Sequence, residues 1–208
     1  WLYEVGANKD ITKANKLGET PMQSACAGGH LSVCKWLHDV GAKDDVTKAD
    51  RFDNTPMYSA CANGHLSVCK WLYEVGAAKD ITNVNKYGLT PMSIACYEGQ
   101  LSVCKWLFEV GAASHIIKTD SNGVTPMYEA SKRGHLSVCK WLLEVGAGED
   151  ITNPVKFNGF TPLSIACDEG QLSVCKWLIL NGAFESSNTQ TKKKSKSIIV
   201  NYLHGLTR

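Results

Sequence analysis

The side chains best equipped for chemistry here are cysteines. Nine occur in 208 residues, and eight of them form pairs at one spacing: Cys26/Cys34, Cys61/Cys69, Cys96/Cys104 and Cys167/Cys175. Regularly spaced thiols can ligate a soft metal ion or cycle between dithiol and disulfide. The pattern argues against both. The close C-x-x-C spacing of structural zinc sites is missing, and Ser131 replaces the first partner of Cys139 without disturbing its surroundings. The count is odd, and no basic-then-apolar leader is visible. The expectation is therefore reduced thiols filling small buried positions, in a cytoplasmic or nuclear setting. A cysteine-based metal or redox module is the rival reading.

The other chemical candidates are weaker. His30, His65 and His135 recur at equivalent positions, each alone in its segment, which suits a structural hydrogen bond better than catalysis. No G-x-S-x-G, P-loop, H-E-x-x-H or dinucleotide glycine cluster is present. No catalytic residue, cofactor site or metal site is assigned. Lys192, Lys193, Lys194 and Lys196 form a basic run that reads as a solvated linker, with a nuclear-localisation or phosphate-binding patch as the sharper alternative. A net charge of +2 argues against a nucleic-acid footprint, and no apolar run approaches the roughly 20 residues of a membrane helix.

The elements that carry these residues are repeated. Thr-Pro occurs at Thr20, Thr55, Thr90, Thr125 and Thr161, in steps of 35, 35, 35 and 36. Each Thr is followed 16 residues later by Trp36, Trp71, Trp106, Trp141 or Trp177. The rigid block is thus Thr to Trp, and the one extra residue falls in the connector between Trp141 and Thr161, where loops tolerate insertion. In the second repeat Thr55 is the N-cap and Pro56 the first helical residue. Residues 57–62 form a short helix closed by Gly64. Residues 66–75 form a second, with Val68, Trp71, Leu72 and Val75 at the i, i+3, i+4, i+7 spacing of one face. Residues 77–89 are polar and read as an extended loop with a tight turn at Gly88.

Helices this short are marginal alone, so neighbouring repeats must stack to bury a shared core. The five tryptophans are expected to form its spine, each burying about 150–250 Å² and contributing about 4–6 kcal/mol before entropy.

These blocks resemble the ankyrin repeat, whose pattern runs T-P-L-H-x-A-A-x-x-G-H-x-x-x-V-x-x-L-L-x-x-G-A. The first full block reads T-P-M-Q-S-A-C-A-G-G-H-L-S-V-C-K-W-L-H-D-V-G-A over residues 20–42. The resemblance implies an all-α solenoid of helix–turn–helix repeats joined by hairpin-like loops. Its boundaries are expected at 1–19 (a truncated repeat), 20–54, 55–89, 90–124, 125–160 and 161–184, then a basic linker and capping helix over 185–208. Residues 1–7 read as the tail of a repeat, so the chain is expected to be a piece of a longer protein. A tetratricopeptide array has a similar period but would not begin its repeats with Thr-Pro.

Three departures from the family pattern stand out. The period is about two residues longer than the usual 33 or so. The His of T-P-L-H, which in the family helps tie neighbouring repeats together, is replaced by Gln23, Tyr58, Ser93, Tyr128 and Ser164. Asp53 takes the place of the turn glycine found at Gly18, Gly88, Gly123 and Gly159. A second period overlies the first: repeats two and four share Met-Tyr and Gly-His, whereas three and five share Ser-Ile-Ala-Cys and Glu-Gly-Gln. Either pairwise duplication or packing compensation accounts for it.

The resemblance implies a protein–protein interaction scaffold that acts as a monomeric array without cofactor, small-molecule substrate or membrane partner. Its unidentified protein partner would sit on the concave face. The alternative is the substrate-recruiting fragment of a larger enzyme such as a kinase or ubiquitin ligase. Positions that differ among the chain's own repeats mark the candidate face: Leu17, Arg51, Phe52, Lys86, Tyr87, Asn122, Phe157 and Phe160 around the turns, with Glu19, Asn54, Leu89 and Val124 beside them. At the ends of the first helices stand Asn63, Tyr97, Glu98, Lys132, Arg133, Asp168 and Glu169.

Overall fold

In the computed structural model, which describes residues 10–156 and 158–183, the chain divides into two compact bodies, Trp1–His115 and Ile116–Arg208. Among the described residues there are ten α-helices and no strand. The first body holds α1 (Pro21–Ala27), α2 (Leu31–Asp39), α3 (Pro56–Ala62), α4 (Leu66–Leu72), α5 (Pro91–Tyr97) and α6 (Leu101–Leu107). The second holds α7 (Pro126–Arg133), α8 (Leu136–Glu144), α9 (Pro162–Asp168) and α10 (Leu172–Leu180). The family's all-α architecture of helix–turn–helix pairs is present in both.

Each first helix starts as its sequence dictates. The hydroxyls of Thr20, Thr55, Thr90, Thr125 and Thr161 accept the backbone N–H three residues on, at 3.1–3.3 Å, and proline occupies the first turn. Within the first body α1, α3 and α5 lie side by side, as do α2, α4 and α6. Met22, Met57 and Met92 are fully buried along the first row, and Leu72, Leu107, Val68 and Val103 along the second. In the second body α7 packs on α9 and α8 on α10, burying Met127, Leu163, Leu142 and Leu178.

The tryptophan spine forms only in part. Trp71, Trp106 and Trp141 are buried, Trp177 is half-buried and Trp36 is 46% exposed. Two of the buried tryptophans have a neighbouring repeat's ring against them: His38 of α2 stands edge-on against Trp71, ring centroids 5.8 Å apart, and Tyr73 stands likewise against Trp106 at 5.9 Å. Val33 beside Trp36 is exposed as well.

Two local expectations are corrected. The second helix of repeat two keeps α geometry only to Leu72, then widens through Tyr73–Ala77 to Gly76, with φ 122°, so Val75 is half-buried instead of facing the core. The connector is not extended throughout. It begins with a 3₁₀ turn, Ala78–Thr82, because Ala77 and Ile81 are buried and anchor it, a signal masked by the polar residues around them. The proposed linker and capping helix at 185–208 lie outside the described residues.

The extra residue of the fifth connector falls at a turn tip. Four tips close between residues 15 and 19, 50 and 54, 85 and 89, and 120 and 124; the fifth closes between Val155 and Phe160. The four regular tips are headed by Asn15, Asp50, Asn85 and Asp120, each of whose Oδ1 accepts two tip N–H groups at 2.8–3.1 Å. Val155 has no such oxygen, and Asn158 Oδ1 accepts the Phe160 N–H instead.

Trp106, at 7% exposure, and Trp36 make a matched pair. Trp106→Ala is expected to cost about 3–5 kcal/mol in urea denaturation and Trp36→Ala less than about 1 kcal/mol. Equal costs would show that the difference in burial does not set the difference in stability.

Candidate functional site

The tips and the ends of the first helices can face a partner only if their backbone is pinned, and two sets of ties pin it. Adjacent tips in the first body are joined by backbone hydrogen bonds, Arg51 N–H to Leu17 O at 2.9 Å and Lys86 N–H to Phe52 O at 3.0 Å. Asn85 Nδ2 donates to Asn54 Oδ1, and Lys86 Nζ to Arg51 O. At the helix ends His65 Nε2 donates to Ala27 O at 3.0 Å, and Gln100 Nε2 reaches Ala62 O at 3.4 Å. His65 therefore has the structural role its position suggests.

The tie that the family makes through the His of T-P-L-H is rebuilt from other residues. Gln23 Nε2 donates to Asn54 O at 3.0 Å. Tyr58 hydrogen-bonds Asn85, and Asn158 Nδ2 donates to Tyr128 Oη at 3.5 Å. Ser93 and Ser164 are too short to reach across. They turn back to accept the N–H of Thr90 and Thr161 at 2.8 and 2.7 Å, completing reciprocal caps. The second period of the sequence is thus an alternation between reaching out and capping in.

All nine cysteines are buried, and none is joined to another by a disulfide. The two cysteines of a repeat meet across its helix pair, Sγ–Sγ 3.6 Å at Cys26/Cys34, Cys61/Cys69 and Cys96/Cys104 and 3.2 Å at Cys167/Cys175; Ser131 Oγ takes the same place at 3.6 Å from Cys139. Burial pushes the Cys61 thiol well up and the Cys139 thiol up to about 11. The reactive species is the thiolate, so both are poor nucleophiles near neutrality. Among the described residues no three His, Cys, Asp or Glu side chains gather to hold a metal ion.

The expected partner-facing residues fall into groups. Leu17, Arg51, Phe52, Lys86 and Tyr87 are exposed on consecutive tips of the first body, with the rings of Phe52 and Tyr87 stacked at 6.3 Å and 23°. Asn63 and Glu98 are exposed at the C-caps of α3 and α5, and Tyr97 is half-buried beside Glu98. Burial and then the Glu98 carboxylate push the hydroxyl of the half-buried Tyr58 up. In the second body Asn122, Arg133, Asp168 and Glu169 are exposed and Lys132 is half-buried. Tyr128 is buried beneath them; burial raises its hydroxyl, and the bond from Asn158 and then the charge of Lys132 oppose that.

Two positions depart from the expected surface. Val124 is buried with Tyr128, Val155 and Ile165, and Phe160 packs against that cluster. A longer tip headed by an apolar residue folds inward to cover it. Phe157 lies outside the described residues. A cavity of about 530 Å³ in the second body, lined by Thr119, Thr125, Asp150, Asn153 and Lys156 among others, includes none of the expected positions.

One repeated feature escaped the reading of the sequence. Asp45, Asp80 and Asp150 are buried in the 3₁₀ turns, each with an Oδ2 that has no hydrogen-bond partner. Burial lifts the Asp80 carboxyl to about 6, against the bond from Asn83 Nδ2 at 2.8 Å. Their spacing from Asp45 to Asp80 is the repeat period, and that was the available signal.

No helix among the described residues is long and apolar enough to cross a membrane. A family model described as ankyrin repeats (3 copies) matches residues 1–83, 44–118, 72–155 and 114–190. Comparison with curated proteins gives no match.

Two measurements test this scaffold. A carboxyl raised in the folded state favours folding at low pH, and that contribution is lost as pH rises from about 4 through about 6. Lowering the pH from about 7 to about 4 should therefore stabilise the wild type relative to Asp80→Asn, by on the order of 1 kcal/mol; a constant difference would refute it. The second concerns Gly29, which has φ 72° and where a Cβ would lie 2.5 Å from His65 Nδ1 and 2.8 Å from its Cγ. Gly170 has a similar φ of 74° but open space around it. Gly29→Ala should cost at least about 1 kcal/mol more than Gly170→Ala, because it adds loss of the His65 tie to the shared backbone strain.

Proposed function

The chain belongs to the ankyrin repeat family, and from that premise we propose that it holds a partner protein on the face made by its turn tips and first-helix ends. Ankyrin repeats are in general protein–protein interaction modules and typically carry no catalysis. The reading rests on one contrast. The first-helix positions that repeat as Met22, Met57 and Met92 are buried, whereas Leu17, Arg51, Phe52, Lys86, Tyr87 and Asn122, which change from repeat to repeat, are exposed on pinned backbone although several are apolar. Solvent-facing apolar and aromatic side chains on a rigid frame lose little entropy when a partner covers them, which favours them as anchors.

The helix ends add Asn63, Tyr97 and Glu98 to the proposed surface of the first body and Lys132, Arg133, Asp168 and Glu169 to that of the second, with charge that changes sign from repeat to repeat. Such alternation selects among partners more than it adds affinity. Replacing Phe52, Tyr87 and Arg133 together by alanine should reduce partner capture at least tenfold while leaving the circular dichroism spectrum unchanged. Undiminished capture would remove this face from consideration.

A further inference from the structure

The first-body tips share a chemical pattern that their variability conceals. Each is a cation followed by an apolar residue: Lys16-Leu17, Arg51-Phe52 and Lys86-Tyr87. All six are exposed, the apolar members at 48%, 39% and 54%. The fourth tip reads Ser121-Asn122 and the fifth Lys156-Phe157, so the unbroken run of the pattern is the three tips of the first body.

We infer that this row binds an extended acidic segment of another protein, with carboxylates at about every third residue and apolar side chains between them. The inference rests on the partner-binding reading above and adds the chemistry of the partner.

Three observations carry it. The first is that the tip backbone is already committed. The N–H groups of Leu17, Phe52 and Tyr87 go to the Oδ1 of Asn15, Asp50 and Asn85. Those of Arg51 and Lys86 go to the carbonyls of Leu17 and Phe52. A partner therefore cannot add itself as a strand along these groups, and side chains must do the recognising. The second is charge. The carboxylates nearest the row are engaged within the tips: Asp50 takes Phe52 N–H, Asn54 N–H and Asn54 Nδ2, and Glu19 takes Asn15 Nδ2 at 2.7 Å. Glu19 is half-buried and Asp50 buried, so among the exposed side chains of the three tips Lys16, Arg51 and Lys86 outnumber the one carboxylate, Asp53. The third is spacing. Neighbouring packed helices lie about 8–10 Å apart, so the doublets recur at about that interval. An extended chain rises about 3.3 Å per residue, which sets the step of about three.

The test is to pan random linear peptides displayed on phage against the whole chain, then measure the synthetic peptides selected by fluorescence anisotropy. The expected result is enrichment of sequences with Asp or Glu near every third position and apolar residues between. Their affinity should fall with salt and weaken at least tenfold for the double variant Arg51→Glu, Lys86→Glu, and also for Phe52→Ala, Tyr87→Ala. The control Lys70→Glu, Lys105→Glu makes the same charge change at exposed positions on α4 and α6 and should bind as the wild type does. Enriched peptides that lack acidic residues, or that ignore both tip variants, overturn this inference and leave the partner-binding reading standing. Displacement of the peptides by a thymidine oligonucleotide overturns it in favour of single-stranded nucleic acid. No enrichment at all overturns both.

Discussion

A helix of seven residues is mostly ends. Four N–H groups at its start and four carbonyls at its finish lack partners within the helix, so in α1, α3, α5 and α9 almost every backbone group depends on something outside. That dependence organises the rest of this protein. The threonine caps satisfy the starts. The finishes are met partly by the next repeat, through His65 to Ala27 O and Gln100 to Ala62 O. Gly29, Gly64 and Gly134 at the close of their first helices let the side chains of His65, Gln100 and Gln171 approach, since a Cβ on any of them would occupy that space. A repeat thus folds by borrowing hydrogen-bonding capacity from its neighbour.

The same dependence explains the alternation between repeats. The third residue of a first helix can reach to the following tip or fold back onto its own cap, but not both. Gln23, Tyr58 and Tyr128 are long enough to reach, and Ser93 and Ser164 fold back. The cysteines answer a different demand. Two helices crossing at a pair of small side chains can approach closely, and a thiol fills that contact at little polar cost. Ser131 opposite Cys139 serves because the hydroxyl and the thiol stand 3.6 Å apart as the thiol pairs do.

Because the ties run between tips and between helix ends, the side chains at those places are held on a frame they do not have to build. Leu17, Phe52 and Tyr87 remain exposed although apolar, which a packing requirement would not allow. The fifth tip shows the opposite outcome. Without an Asn or Asp at its head it depends on Asn158 for its turn, and Phe160 is drawn onto the buried Val124, Tyr128, Val155 and Ile165. Rigidity at the tips and freedom in their side chains are two results of one arrangement, the pairing of tip N–H groups with an oxygen at the tip's head.

The repeat, its helix starts, the left-handed glycines and the burial of the cysteines were all legible in the sequence, because each follows from local chemistry copied at a fixed interval. The heads Asn15, Asp50, Asn85 and Asp120 and the buried Asp45 and Asp80 carried the same periodic signal, though their surroundings read as plain loop. How deeply each tryptophan lies was not legible, since identical segments hold Trp106 at 7% exposure and Trp36 at 46%. Nor was the fate of Val124 and Phe160, which depends on one inserted residue redirecting a tip. Each repeat's make-up is written in its own residues, whereas what lies against it is set by packing, because burial belongs to pairs of repeats and not to any one of them.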